Sequence, residues 1–162
     1  MNDCNKVTSL KLPRRHFITA TASVLVLSTT SRHALAAKDE IFARRGIAIN
    51  GYDPVAYFTQ GGARKGSKSH EADYKGATFR FASDENRQLF LSDPEKYAPQ
   101  YGGYCAWAVA QGYTASTDPQ AWSIENDKLY LNYSLRVRSQ WEVNPRENII
   151  KGDQNWPAVL ER

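Results

Sequence analysis

Apolar and polar positions alternate over short distances along this chain, which is typical of short strands joined by tight turns. Around Gly76, two alternating segments predict a β-hairpin that places Phe79 and Phe81 on one face. A second hairpin is predicted over residues 122–132, with its turn at 125–127. Both hairpins join strands that are neighbours in the sequence, so they indicate antiparallel pairing.

Helices are predicted where a capping residue precedes a short apolar pattern. Asp53 and Asp93 are each followed by proline, which suits the first position of a helix. Ser83 is the predicted cap of a third helix, whose pattern buries Leu89 and Phe90.

The remaining segments complete a mixed architecture. Residues 46–52 resemble the start of a strand, and residues 60–69, which are rich in Gly, Lys and Ser, predict a surface loop. The C-terminal part predicts helical pieces that are interrupted at 144–145 and at 152–153. Short strands mixed with short helices predict a compact α+β domain.

The chemistry-bearing residue of the chain is Cys105, which follows Gly102 and Gly103 and begins an apolar run that ends at Gly112. We expect one of the paired glycines to adopt a positive φ, and we expect a helix to begin immediately before Cys105. The first turn of a helix favours a thiolate, the nucleophilic and metal-binding form of cysteine. The small apolar neighbours of Cys105 are equally consistent with an inert core residue.

The first 36 residues are interpreted as a targeting segment. Arg14 and Arg15 precede a moderately apolar stretch, and residues 34–36 offer small side chains for cleavage, so the segment resembles a twin-arginine signal peptide. The apolar stretch is shorter than the roughly 18 residues that span a bilayer. We therefore expect cleavage after residue 36 and a periplasmic domain, residues 37–162, that has no membrane anchor.

Removal of this segment changes the charge of the protein. The first 36 residues hold five of the 21 lysines and arginines and one of the 17 acidic residues, which leaves 16 of each sign. The basic excess therefore gives no argument for a nucleic-acid partner. Removal of Cys4 leaves Cys105 as the single cysteine, which excludes an internal disulfide.

Several motifs together resemble the exported branch of the YHS domain protein family, and the resemblance extends from about residue 47 to residue 159. It implies an α+β fold, and in the wider family an association with copper and heavy-metal transporters. The motifs that carry the resemblance lie at residues 51–58, 79–83, 93–97, 101–106 and 128–133.

The chain departs from the metal-binding branch of that family at its cysteine positions. The resemblance places Ala56 and Ala82 at the first and second cysteine positions of that branch, and Asn86 at or near the third. Alanine offers no ligand atom and an asparagine amide is a poor ligand for soft metals. The thiolate site that the family would imply is therefore absent from this sequence.

Cys105 and His70 are the remaining soft or borderline metal ligands after residue 36. We predict a binding module that handles copper, with Cys105 and His70 as the metal ligands and a metal ion or a metal-handling protein as the partner. Two alternatives stay open, a thiol-based redox protein that uses Cys105 and an interaction domain with an inert cysteine. The sequence contains no catalytic motif that predicts an enzyme.

Overall fold

The computed structural model describes residues 37–162, and the predicted signal peptide lies outside the described residues. Within this range the predicted α+β class is confirmed. No helix among residues 37–162 is long and apolar enough to cross a membrane. The strands are β1 (Ala43–Arg44), β2 (Ile47–Ala48), β3 (Ser67–Tyr74), β4 (Ala77–Phe81), β5 (Asp118–Glu125) and β6 (Lys128–Asn132), and the helices are α1 (Ala56–Thr59), α2 (Asp84–Ser92), α3 (Pro94–Tyr97), α4 (Ala106–Ala110), α5 (Leu135–Trp141) and α6 (Pro145–Asn155), with 3₁₀ turns at Ile49–Gly51, Gln100–Gly103 and Ala158–Glu161.

The strands form a four-stranded sheet in the order β1-β2-β4-β3 and a two-stranded sheet of β5 and β6. Both predicted hairpins are confirmed, because β3 pairs with β4 and β5 pairs with β6, each antiparallel. The predicted loop at 60–69 is wrong in its last part, since β3 already begins at Ser67. As the edge strand of its sheet, β3 tolerates the polar residues that made this segment resemble a loop.

The capping residues act largely as predicted. The Ser83 side chain accepts a hydrogen bond from the Asn86 backbone N–H at 3.2 Å, and this contact begins α2. Phe90 of α2 is buried, but Leu89 is 39% exposed, so the prediction that both are buried is wrong. Neighbouring helical residues point in different directions, and the face that packs on the sheet carries Asn86 and Phe90.

The predicted interruption at 152–153 is also wrong, because α6 continues through Gly152 to Asn155. Gly152 is required for packing, since a Cβ atom there would lie 2.5 Å from the Tyr101 hydroxyl oxygen. The Tyr101 hydroxyl donates a hydrogen bond to the Asp153 carboxylate at 2.9 Å. The glycine therefore allows close contact between α6 and the turn that precedes Cys105.

Two groups of buried apolar residues form the core, and β6 contributes to both. Leu129 and Leu131 belong to the first group, and Tyr130, on the opposite face of the strand, belongs to the second. This alternation follows from the strand geometry of β6, in which successive side chains point to opposite faces. The first group also contains Phe79, Phe81 and Phe90, and the second contains Tyr101, Tyr104, Val109, Trp141 and Val159.

Candidate functional site

The chain reaches Cys105 through a turn that requires glycine. Gly102 has φ +59° and Gly103 has φ +83°, so the expected positive φ is confirmed at both positions. A Cβ atom at Gly102 would overlap the backbone carbonyl oxygen of Glu40. The Phe42 N–H donates to the Gly102 carbonyl at 2.9 Å. The turn is therefore packed closely against the N-terminal segment of the domain.

The backbone of Cys105 is fixed on both sides. Cys105 lies directly before the first residue of α4, one position earlier than the predicted first turn. Its N–H donates to the Ala115 carbonyl at 3.0 Å, and its carbonyl accepts from the Val109 N–H at 3.0 Å. Gly112 follows the end of α4 with φ +85°, as predicted for the residue that ends this helix.

The thiol of Cys105 is buried, with 1% of the residue exposed. The Tyr133 backbone N–H donates to its sulfur at 3.3 Å, and the thiol donates weakly to the Asn132 side-chain oxygen at 3.8 Å. The same Asn132 oxygen accepts from the Trp107 N–H at 3.2 Å. The end of β6 and the start of α4 thus hold the thiol from two directions.

Burial raises the pKa of the Cys105 thiol, although backbone N–H groups of Ala108, Tyr133 and Trp107 act in the opposite direction. The expectation that the helix would favour a thiolate is therefore wrong. The helix α4 has only five residues, so its dipole is small, and the loss of solvent around the sulfur outweighs it. At neutral pH the free side chain is a neutral thiol.

Cys105 lines a pocket of about 280 Å³, together with residues of α4 and α5. Tyr113 and Tyr133, which line it, are 52% and 57% exposed, so this part of the lining reaches the surface. Its lining is mainly apolar and has room for a small ligand or for one side chain of a partner. The lining residues are Cys105, Trp107, Ala108, Tyr113, Ala115, Tyr133 and Val137.

His70 is not among the residues that line this pocket. It lies half-buried on β3, the strand against which α2 packs. The Arg87 side chain is the main cause that lowers the pKa of Asp84, and the charge of His70 contributes to the same shift. Among residues 37–162, no group of three or more His, Cys, Asp or Glu side chains is arranged to hold a metal ion.

The three residues that the resemblance matches to cysteine positions of the metal-binding branch, Ala56, Ala82 and Asn86, lie together around the carboxylate of Asp53. The N–H of Ala56 donates to one carboxylate oxygen at 3.2 Å. The other oxygen accepts from the Ala82 N–H at 2.8 Å and from the Asn86 side-chain amide at 2.6 Å. The sequence pattern identified Asp53 as a helix cap, but its contacts with β4 and α2 depend on tertiary structure.

These donors do not fit a metal ion. The three positions offer no thiolate, and the groups that they direct toward the centre are N–H donors, which present positive charge. Asp53 is fully buried, and its oxygens also accept from the Val55 N–H at 2.8 Å. The centre therefore binds an anion, the Asp53 carboxylate itself, and we assign no metal to it.

The fold and the Cys105 pocket together define a small α+β domain with one buried thiol beside an apolar cavity. The family model of the YHS domain matches residues 55–101, and this domain is associated with the handling of metals such as copper. The matched segment includes Ala56, Ala82 and Asn86 and ends before Cys105. No curated protein and no solved structure gives a significant match to the chain.

Proposed function

We propose that this chain is an exported binding module that handles Cu(I), and that the thiol of Cys105 binds the ion in its pocket. The observation that carries the proposal is that Cys105 lines a mainly apolar pocket that opens to the surface. Cys105 is also the only cysteine in residues 37–162. The YHS match supports a role in metal handling.

The surroundings of the sulfur favour a monovalent ion. Burial raises the pKa of Cys105 because an isolated negative charge is costly in apolar surroundings. When Cu(I) replaces the thiol proton, the thiolate charge is balanced and the pair is neutral. A divalent ion such as Zn²⁺ would leave a net positive charge beside the same apolar residues. Cu(I) is also the softer ion, which matches a thiolate ligand.

The pocket supplies one soft ligand, so a second must come from elsewhere. The lining residues other than Cys105 are apolar or aromatic and include no histidine. We propose that a metal-handling protein, the predicted partner, supplies the second ligand when it presents the ion at the mouth of the pocket. The assistance of His70 stays a prediction, and because His70 lies on β3 and does not line the pocket, we expect its effect to be small.

Burial of Cys105 favours one other function, an interaction domain whose cysteine is inert. In that case the pocket would accept an apolar side chain of a partner, and the thiol would be part of its wall. The redox alternative requires an exposed cysteine with a lowered pKa. Cys105 is 1% exposed and its pKa is raised, so its surroundings oppose that function.

Export is part of the proposal, and the start of the fold is compatible with it. The Lys38 N–H donates to the Leu160 carbonyl at 2.9 Å, so the domain is anchored from the second residue after the proposed cleavage point. Cleavage after residue 36 would therefore leave almost no loose segment before the folded domain. This agreement supports the proposed boundary between a signal peptide, residues 1–36, and the domain.

Competition against a Cu(I) chelator tests the copper proposal. The exported protein is titrated anaerobically as wild type, Cys105→Ser and His70→Ala, and thermal unfolding confirms that each variant is folded. We expect Cys105→Ser to abolish tight binding and His70→Ala to change it little. Equal Cu(I) affinity in wild type and Cys105→Ser would contradict the proposal. Absence of Cu(I) binding in the wild type, even with a small thiol as second ligand, would favour the interaction domain.

A further inference from the structure

The Asp53 centre is a buried anion without a positively charged partner. Asp53 is 0% exposed, and no ion pair within residues 37–162 includes it. Its side chain instead accepts four hydrogen bonds, three from backbone N–H groups and one from the Asn86 amide. A buried carboxylate must be compensated in some way, because its transfer from water is costly. Either these hydrogen bonds or a bound cation must compensate the charge of Asp53.

The geometry of the centre excludes a cation from the positions next to the carboxylate. A carboxylate has about four acceptor sites on its two oxygens, and here four N–H groups point at them. An approaching cation would meet the positive ends of these groups. The shortest contact, 2.6 Å, is the one from Asn86, which lies at or near a position where the resemblance implies a metal-binding cysteine.

We infer that the Asn86 amide takes the place of a metal ion in this centre, so that the fold is stabilised without metal. The hydrogen bond from Asn86 joins α2 to Asp53, and the bonds from Val55 and Ala56 join Asp53 to the start of α1. The Ala82 N–H adds the end of β4. One carboxylate thereby connects three elements. This inference is independent of copper binding at Cys105.

The substitution Asn86→Asp distinguishes a centre without metal from a centre that holds a cation, because the two predict changes in stability of opposite sign. It places a second carboxylate within hydrogen-bond distance of Asp53. Without a metal, the two negative charges repel each other and the domain is destabilised. If a cation bridged the centre, the added carboxylate would be a further ligand and would bind the cation more tightly. The two cases therefore predict opposite changes in stability and in metal content.

Asn148 provides a matched control on α6. It is 6% exposed, as Asn86 is, and its amide donates to the Trp141 carbonyl at 2.9 Å, a neutral partner. Hydrogen bonds to charged groups contribute more than bonds between neutral groups. We therefore expect Asn86→Asp to raise the unfolding equilibrium constant at least about tenfold more than Asn148→Asp does.

The experiment measures denaturant unfolding and bound metal in the exported protein carrying Cys105→Ser, so that copper at Cys105 does not contribute. We expect the parent protein to hold no stoichiometric metal and to unfold at the same denaturant concentration with and without a strong chelator. A lower denaturant midpoint of the parent protein after chelation would overturn the inference. A variant Asn86→Asp that is as stable as the parent protein, or more stable, would also overturn it. If Asn86→Asp does not fold, the stability of Asn86→Ala and the comparison of the parent protein with and without chelator decide between the two cases.

Discussion

Gly102→Ala is expected to destabilise the domain strongly, because a side chain at this position meets backbone atoms. Gly102 has φ +59°, and its added Cβ would overlap the Glu40 carbonyl oxygen. Backbone cannot move aside as a flexible side chain can. Gly76→Ala is a matched control, since Gly76 has φ +81° in the turn between β3 and β4 but has no atom within 4 Å of an added Cβ.

The magnitude follows from the contacts that the two substitutions disturb. A left-handed backbone costs alanine about 1 kcal/mol, which both variants share. Displacement of Glu40 at Gly102 also strains the hydrogen bond from the Phe42 N–H, a bond that contributes about 1 kcal/mol. Ile41, between Glu40 and Phe42, is 4% exposed and loses core packing, at a cost of about another 1 kcal/mol. Gly102→Ala should therefore cost about 3 kcal/mol, and Gly76→Ala about 1 kcal/mol.

Denaturant titration of the wild type and both variants, followed by tryptophan fluorescence, measures the free energy of unfolding. For a domain of this size, 2 kcal/mol corresponds to a difference of roughly 8 °C in Tm, which a thermal scan resolves. We expect Gly102→Ala to be the less stable variant by that margin. Equal stability of the two variants, within about 0.5 kcal/mol, would show that contact with Glu40 does not restrict the turn.

Two further predictions concern export and alkaline stability. Replacement of both Arg14 and Arg15 with Lys should leave the protein uncleaved inside the cell, as fractionation and N-terminal sequencing would show; normal export of this variant would exclude the twin-arginine route. Burial raises the pKa of Tyr130 to about 12, and it raises the pKa of Tyr57 and Tyr101 further. The unfolded chain loses these phenolic protons near its ordinary pKa of about 10, before the folded state does, so stability should fall as the pH rises above about 10. An unchanged denaturant midpoint between about pH 8 and pH 11 would contradict this prediction.

The elements that the sequence predicted well are those that depend on nearby residues. A hairpin is determined by a turn and its two flanking strands, and a cap such as Ser83 acts on an N–H three residues away. The positive φ in the Gly102-Gly103 turn was predictable, because paired glycines between aromatic residues indicate a backbone conformation that other residues rarely adopt. These features therefore agree with the structure at the level of single residues.

The errors have a common physical origin in contacts between distant residues. The edge position of β3, which allows polar residues at Ser67 and beyond, depends on the strand order of the whole sheet. Leu89 has the composition of a core residue but lies on the face of α2 that turns away from the sheet. The thiolate was expected at Cys105 because of the local helix alone. Desolvation by β6 and the residues that follow it instead determines the pKa of the thiol.

A single metal–thiolate site would combine stabilisation of the fold with binding of the ion. In this domain the Asp53 centre stabilises the fold, and the Cys105 pocket is the proposed binding site. Asp53 joins α1, β4 and α2 through hydrogen bonds alone, so this part of the fold requires no ion. Cys105 lies directly before α4, where Asn132 at the end of β6 accepts a hydrogen bond from the Trp107 N–H. Loss of a ligand from the Cys105 pocket would therefore leave the Asp53 centre intact. Under the proposed Cu(I) function, this separation would let the domain bind and release its ion while the Asp53 part of the fold stays unchanged.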